Sequence, residues 1–222
     1  ERNYLCTFAS QYFAKPVTAA DVVWTYSGVR PLYNDGAKSA TAATRDYVLS
    51  LDDNGPPLLN VFGGKITTYR RLAEAALAKL SPYFPKAKAA WTARVPLPGG
   101  DFPIGDVDRL TAQLQQNHPY LTPYWASRLI RAYGVEAALV LQGARTAADL
   151  GRDFGATLTE VEVRWLMDHE FARAADDIVW RRTKLGLRMT QAQIAALEDF
   201  MTQDAALPSR ASRSEKRVSH GA

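Results

Sequence analysis

The chain has 222 residues, room for one large domain or two small ones, and an ordinary apolar content of 47%. Its single cysteine, Cys6, excludes an internal disulfide and points to a reducing compartment, and no apolar run approaches the ~20 residues that span a bilayer. The net charge of +4 invites a nucleic-acid reading, but Arg210, Arg213, Lys216 and Arg217 against Glu215 alone put +3 of it in Ser209–Ala222, so the body carries no basic binding face.

The opening run, ERNYLCTFASQYFAKPV, lacks the cleavage site and apolar stretch of a signal peptide. It reads as a helix entered partway along, ending at Lys15–Pro16. With no initiator methionine, the chain reads as a fragment. Thr18 and Asp21 form a weak capping box. VVWTYSGVRPL then reads as a strand leaving into a loop at Gly28 and Pro31, followed by the turn-rich YNDGAKSATAAT. RDYVLSLD and PLLNVFGG are two strands joined as a hairpin through DNGPP. Beyond them Ile66, Tyr69, Ala73, Ala76 and Leu80 keep a helical spacing, and Pro82 and Pro85 end that helix.

AKAAWTARVPLPGGDFP is a Pro/Gly-rich linker, and after Gly105 almost no strand pattern remains. DVDRLTAQLQQN is a helix that stops before His118–Pro119. Thr122 caps the next, with Pro123 in its first turn and Gly134 past its end. VEAALVLQGA is a third, and TEVEVRWLMDHEF opens on a capping box from Thr159 to Glu162. ARAADDIVWRRTKL continues the helical pattern with Asp177 four residues before Arg181, and Thr190 caps a last helix, TQAQIAALEDFM. The fold expected is therefore α+β, in four stretches: a mixed part over residues 1–85, a linker over 86–104, an all-helical domain over 105–207, and a basic tail over 208–222 whose composition reads as disorder.

The chemistry centres on NVFGGKITTYRRL. Gly63 and Gly64 leave a strand, Lys65 sits on the join, and a helix follows. A helix N-terminus offers unpaired N–H groups and a partial positive charge, so the join is a socket for an electron-rich group. Arg30 in SGVRPL follows a glycine and precedes a proline, a good setting for a bidentate receptor of phosphate or carboxylate, although a structural salt bridge serves it equally well. If the strands near Arg45 and Lys65 pair, Arg30, Arg45 and Lys65 converge on one edge as an anion pocket. His118, His169 and His220 lie on different elements with no partner at ligand spacing, so no metal site is expected. The cations of WRRTKLGLR read first as complements to a helix C-terminus. No GxSxG, Walker A or GxGxxG is present.

At VVWTYSGVRPL, TRDYVLSLD and LLNVFGGKITTYRRLAEAAL the chain resembles the flavin-dependent glycerol-3-phosphate dehydrogenases, the membrane-associated, quinone-linked respiratory enzymes. DLGRDFGATLTEVEVRWLMDHEFARAADDIVWRRTKLGLRM resembles their C-terminal domain, and the likeness runs in order to about residue 204. The resemblance implies FAD as cofactor, with Gly63, Gly64, Lys65, Ile66 and Thr67 against the flavin ring and Lys65 taking part in catalysis by polarising it. It implies that Arg30 and Arg45 face the phosphate of glycerol 3-phosphate, and that electrons leave through a membrane quinone. A cytoplasmic enzyme held peripherally on the cytoplasmic membrane follows, with a homo-oligomer left open. The dinucleotide fingerprint of that family is absent, so the chain is expected to be the C-terminal portion of such an enzyme and inactive alone. Two alternatives stay open: a related FAD-dependent oxidase that uses oxygen, and a helical interaction module with no chemistry of its own.

Overall fold

The computed structural model describes residues 1–29, 33–34, 36 and 46–205. Arg30 and Arg45 lie outside these residues, as does the tail from 208. The described residues form two compact units, one drawn from Glu1–Trp24 and Pro96–Ala222, the other from Thr25–Val95. The grouping differs from the division drawn from composition, which keeps residues 1–24 with the mixed part. Its physical basis is visible at Trp24, whose ring stacks on Trp180 at 5.2 Å.

In Thr25–Val95, β1 (Tyr47–Asp52) pairs antiparallel with β2 (Leu58–Gly63), Tyr47 opposite Gly63 and Asp52 opposite Leu58. The hairpin is the one expected from Asn54–Gly55, with residues 53–57 as its loop. Residues 22–29 join no strand among the described residues, contrary to the reading of VVWTYSGVRPL. A 3₁₀ turn, Ile66–Thr68, leads into α2 (Tyr69–Leu80), which lies on β1. The expected face is met in its second half only: Ala76 and Leu80 are half-buried together with Leu72, whereas Ile66, Tyr69 and Ala73 are exposed. Arg70 pairs with Glu74 at 3.1 Å and donates to Thr92 Oγ1, which itself donates to Glu74, tying α2 to the segment behind it. No described residue of this unit is buried.

The other unit begins with α1 (Arg2–Ser10) and continues with α3 (Val107–Asn117), α4 (Pro123–Tyr133), the short α5 (Ala137–Val140), α6 (Glu160–His169) and α7 (Gln191–Ala205). Local chemistry sets the ends as expected at two of them. Thr122 accepts from the Trp125 amide ahead of Pro123, and Thr190 exchanges hydrogen bonds with Gln193. VEAALVLQGA yields only the four residues of α5. The core gathers Leu129, Leu150, Leu158, Val163, Leu166, Ile178 and Leu197, all but inaccessible to water.

The helical unit is not wholly helical. β3 (Asp153–Gly155) and β4 (Leu158–Thr159) form a small hairpin turned by Ala156 and Thr157 at φ of +50° and +69°. Such a turn normally draws glycine or asparagine, which is why the sequence pattern hides it. Glu162 corrects a second expectation. Its carboxylate does not return to Thr159 as a capping box but accepts both Nη atoms of Arg128, at 2.7 and 2.6 Å, and the Tyr133 hydroxyl at 2.8 Å.

Candidate functional site

At the end of β2 the chain turns through Gly63 and Gly64, at φ of +65° and +94°. A Cβ on Gly64 would stand 3.2 Å from that of Tyr47, so this glycine is required both by its left-handed backbone and by the strand beside it. Lys65 is extended and closes the first turn: its carbonyl accepts the Thr68 amide at 3.0 Å and the Thr68 hydroxyl at 2.9 Å. The amides of Ile66 and Thr67 open that turn with no hydrogen-bond acceptor among the described residues, and Gly64–Thr67 are all exposed. Ile66 is 85% exposed, an apolar side chain held in the open beside a cation. Lys65 forms no ion pair among the described residues. The join is therefore accessible and carries two free backbone donors and a full charge, a donor set suited to carbonyl oxygens or a delocalised anion.

Of the five residues expected at the socket, all stand on this one turn. Their convergence with Arg30 and Arg45 concerns residues outside those described. The basic run WRRTKLGLR is held by internal partners: Arg181 pairs with Asp177 at 2.9 Å, and Arg182 donates to the carbonyls of Glu170 and Asp177. Arg182 thus complements a helix C-terminus, that of α6 before it in the chain. The histidines have structural neighbours: His169 stacks on Trp165 at 3.8 Å, and His118 lies 3.2 Å from the Ala144 carbonyl. Among the described residues no group of three His, Cys, Asp or Glu side chains is placed to hold a metal ion. A pocket of about 300 Å³ between Leu141 and Val161 contains Asp149, whose carboxylate already accepts the Arg145 and Thr146 amides.

The polar centre that the sequence did not reveal lies in the helical core. Arg128 and Glu162 retain 11% and 2% exposure, and Arg128 also donates to the hydroxyl and carbonyl of Thr157, at 2.8 and 2.9 Å. Burial opposes the guanidinium charge, but the hydrogen bonds and charge of Glu162 outweigh it and hold Arg128 above its ordinary pKa. Burial, reinforced by Glu162, pushes the Tyr133 phenol far up, so it stays a donor. Every contact is internal, and the network pins Thr157 in its left-handed turn. Its role is structural. Residues 29 and 34 positions apart in sequence build it, beyond the reach of any local pattern.

Residues 90–205 match the protein family described as the C-terminal domain of alpha-glycerophosphate oxidase. Over 205 residues the chain is 46% identical to the aerobic glycerol-3-phosphate dehydrogenase of Escherichia coli (strain K12), an alignment covering 91% of this chain and 41% of that protein. It is 44% identical over 206 residues to a glycerol-3-phosphate dehydrogenase of Pseudomonas aeruginosa, covering 92% of this chain and 40% of the relative. A D-erythritol 1-phosphate dehydrogenase of Brucella abortus is 42% identical over 201 residues, 90% of this chain and 40% of its own length. The chain thus spans about two fifths of the length of these relatives. Among the described residues no helix is long and apolar enough to cross a membrane.

Proposed function

The chain belongs to the family of the C-terminal domain of alpha-glycerophosphate oxidase, and from that membership we propose that it is the C-terminal portion of a flavin-dependent dehydrogenase oxidising sn-glycerol 3-phosphate to dihydroxyacetone phosphate. The observation that carries this reading is the exposed join at Gly63–Thr67, in a chain whose relatives are named glycerol-3-phosphate dehydrogenases. The donor set fits the pyrimidine edge of a flavin, which is rich in acceptors. FAD, when bound, would supply the hydride-accepting chemistry, with a membrane quinone as the final acceptor of the electrons. The amides of Ile66 and Thr67, already oriented by the turn, stabilise negative charge on that edge without reorganising, and Lys65 adds a full charge beside them. Arg30 and Arg45 hold the substrate phosphate through paired guanidinium donors. The enzyme works at the cytoplasmic face of the membrane, held there peripherally.

The Brucella abortus relative favours a second substrate of the same chemistry, a longer polyol phosphate. The phosphate is common to both, so one experiment serves both. In the full-length enzyme, Arg30→Lys keeps the charge but loses the forked donors, at about 1.5–3 kcal/mol. That is roughly ten- to a hundredfold in kcat/KM at ~1.4 kcal/mol per decade. The loss is expected for glycerol 3-phosphate and erythritol 1-phosphate and is small for glycerol, with Tm unchanged. An equal loss on all three, with a lowered Tm, would make Arg30 a structural ion pair and defeat the assignment.

A further inference from the structure

Two rigid peptide planes carry the exposed donors of the join. The Ile66 N–H shares a plane with the Lys65 carbonyl, and the Thr67 N–H shares one with the Ile66 carbonyl. In each trans peptide the two groups point in opposite directions, so whatever grips the carbonyl aims the donor. The Ile66 carbonyl is gripped by the Tyr69 amide, an ordinary bond of a turn that runs into a helix. The Lys65 carbonyl is held differently. It accepts from the Thr68 amide at 3.0 Å and from the Thr68 hydroxyl at 2.9 Å, two donors of one residue on one oxygen.

The second bond stands where the turn has least else to hold it. Lys65, Ile66 and Thr67 are exposed, so packing restrains their backbone little, whereas Thr68 is half-buried. A 3₁₀ turn also has poorer hydrogen-bond geometry than an α-helix. A threonine hydroxyl that returns to the carbonyl three residues back offsets this weakness locally.

On the other side of Lys65 the chain is fixed by contact rather than by bonds. A Cβ on Gly64 would stand 3.2 Å from the Tyr47 Cβ and 3.5 Å from Leu72 Cδ1, so residues of both β1 and α2 close on that glycine. Entry to the turn is set by packing. Its exit is set by Thr68.

We propose that Thr68 is the positioning residue of this turn: its hydroxyl, acting through the Lys65 carbonyl, aims the Ile66 amide at the pyrimidine edge of the flavin. The proposal rests on the functional reading of Gly63–Thr67 and adds a residue that touches neither cofactor nor substrate. A donor aimed beforehand stabilises charge on the ring without reorganising, and one left to swing does so less well.

The full-length enzyme with its flavin tests this through the flavin's own reduction equilibrium, which a merely structural role would not move. Thr68→Val keeps the branched shape and the backbone bond and removes the hydroxyl, whereas Thr68→Ser keeps the hydroxyl. Thr68→Val is expected to lower the ratio of reduced to oxidised flavin about tenfold at a fixed poise, equivalent to about 30 mV for a two-electron couple. Thr68→Ser should stay close to the parent. Amide exchange should quicken over residues 65–69 with valine and not with serine, while α4 and α6 keep their parent rates.

Equal shifts for valine and serine, or a parent-like equilibrium with valine, overturn the role of the hydroxyl. Lys65→Met separates that failure from a failure of the functional reading, because it removes the cation from the same turn and leaves Thr68 in place. It should lower the ratio as well. If Lys65→Met shifts the equilibrium and Thr68→Val does not, the turn faces the flavin but Thr68 does not aim it. If neither shifts it, the turn does not face the flavin, and the functional reading falls together with the proposal.

Discussion

α2 and α4 have similar apolar periodicities and nearly equal lengths, 12 and 11 residues, yet their fates differ. In α4, Ala126, Leu129, Ile130 and Tyr133 are buried against neighbouring helices; in α2 no residue is. The sequence of each helix sets its stripe, but the stripe becomes a core only where facing elements close over it. α4 has α3, α5 and the segments after them, whereas α2 has a two-stranded hairpin, which is marginal as a partner. Stability therefore resides in the helical unit, and the accessible backbone of Gly63–Thr67 in the unit without buried residues. The division suits function: a ligand needs donors that the fold has left unpaired, and a closed core leaves none.

Removing the buried arginine should separate the two units most sharply. Arg128→Met leaves Glu162 charged and stranded in the core and frees the strained Thr157 turn, at a cost of about 3–5 kcal/mol. Amide exchange should accelerate through α4 and α6 and remain as it was in β1 and β2. Replacing both partners, Arg128→Met with Glu162→Leu, should recover much of the loss, since no unpaired charge remains. A single variant as stable as the parent, by chemical denaturation, would break the comparison by showing that the helical core does not depend on its polar centre.

Much of the fold was legible because it is local. The hairpin at Asn54–Gly55, the Thr122 and Thr190 caps, and the strand–glycine–helix join at Gly63–Thr67 each depend on residues within a turn of one another. What sequence missed depends on partners far along the chain. Glu162 satisfies the pattern of a capping box, and only the arrival of Arg128 diverts it. The β3–β4 hairpin uses Ala156 and Thr157 where glycine would announce a turn, and Arg128 makes that tolerable. On α2 the expected Ala76 and Leu80 are covered but Tyr69 and Ala73 are not, because Leu72 takes the covered side and apolar residues such as Leu77 also lie open to water. The glycine turn expected at the end of the second strand is present, and the neighbour Tyr47 leaves no room for a side chain at Gly64, a contact the local pattern does not show.

A smaller effect should appear within the helical unit as the pH changes. The amides of Arg173 and Ala174, together with Arg181, hold the Asp177 carboxyl below its ordinary 3.8. Folding thus favours its charged form, a contribution present above the unfolded value and lost as the pH falls through the lower folded one. Glu170 acts in the opposite sense: burial raises it, so its contribution is present below the ordinary value and fades as the pH rises through the folded one. Asp177→Asn should cost about 1 kcal/mol at neutral pH. It should also flatten the fall of Tm below about pH 4. An equally steep acid limb in the variant would assign the acid sensitivity to other carboxylates.

The smallest effect is expected where the comparison is most exposed to failure. Leu77 lies on α2 with 63% of its surface open to water, so Leu77→Ala removes little that folding has buried. Its cost should stay within about 0.5 kcal/mol, the range of ordinary surface changes. Deleting a leucine from a closed core such as that around Leu197 costs about 2–5 kcal/mol because the neighbours cannot fill the space. If Leu77→Ala behaves like a core deletion, the exposed face of α2 is covered in solution by something outside the described residues. Sedimentation then identifies the cover: if the parent chain is a dimer and Leu77→Ala a monomer, a second copy supplies it. If both are monomers and the cost remains large, the same chain closes over its own helix, and the contrast between the two units disappears.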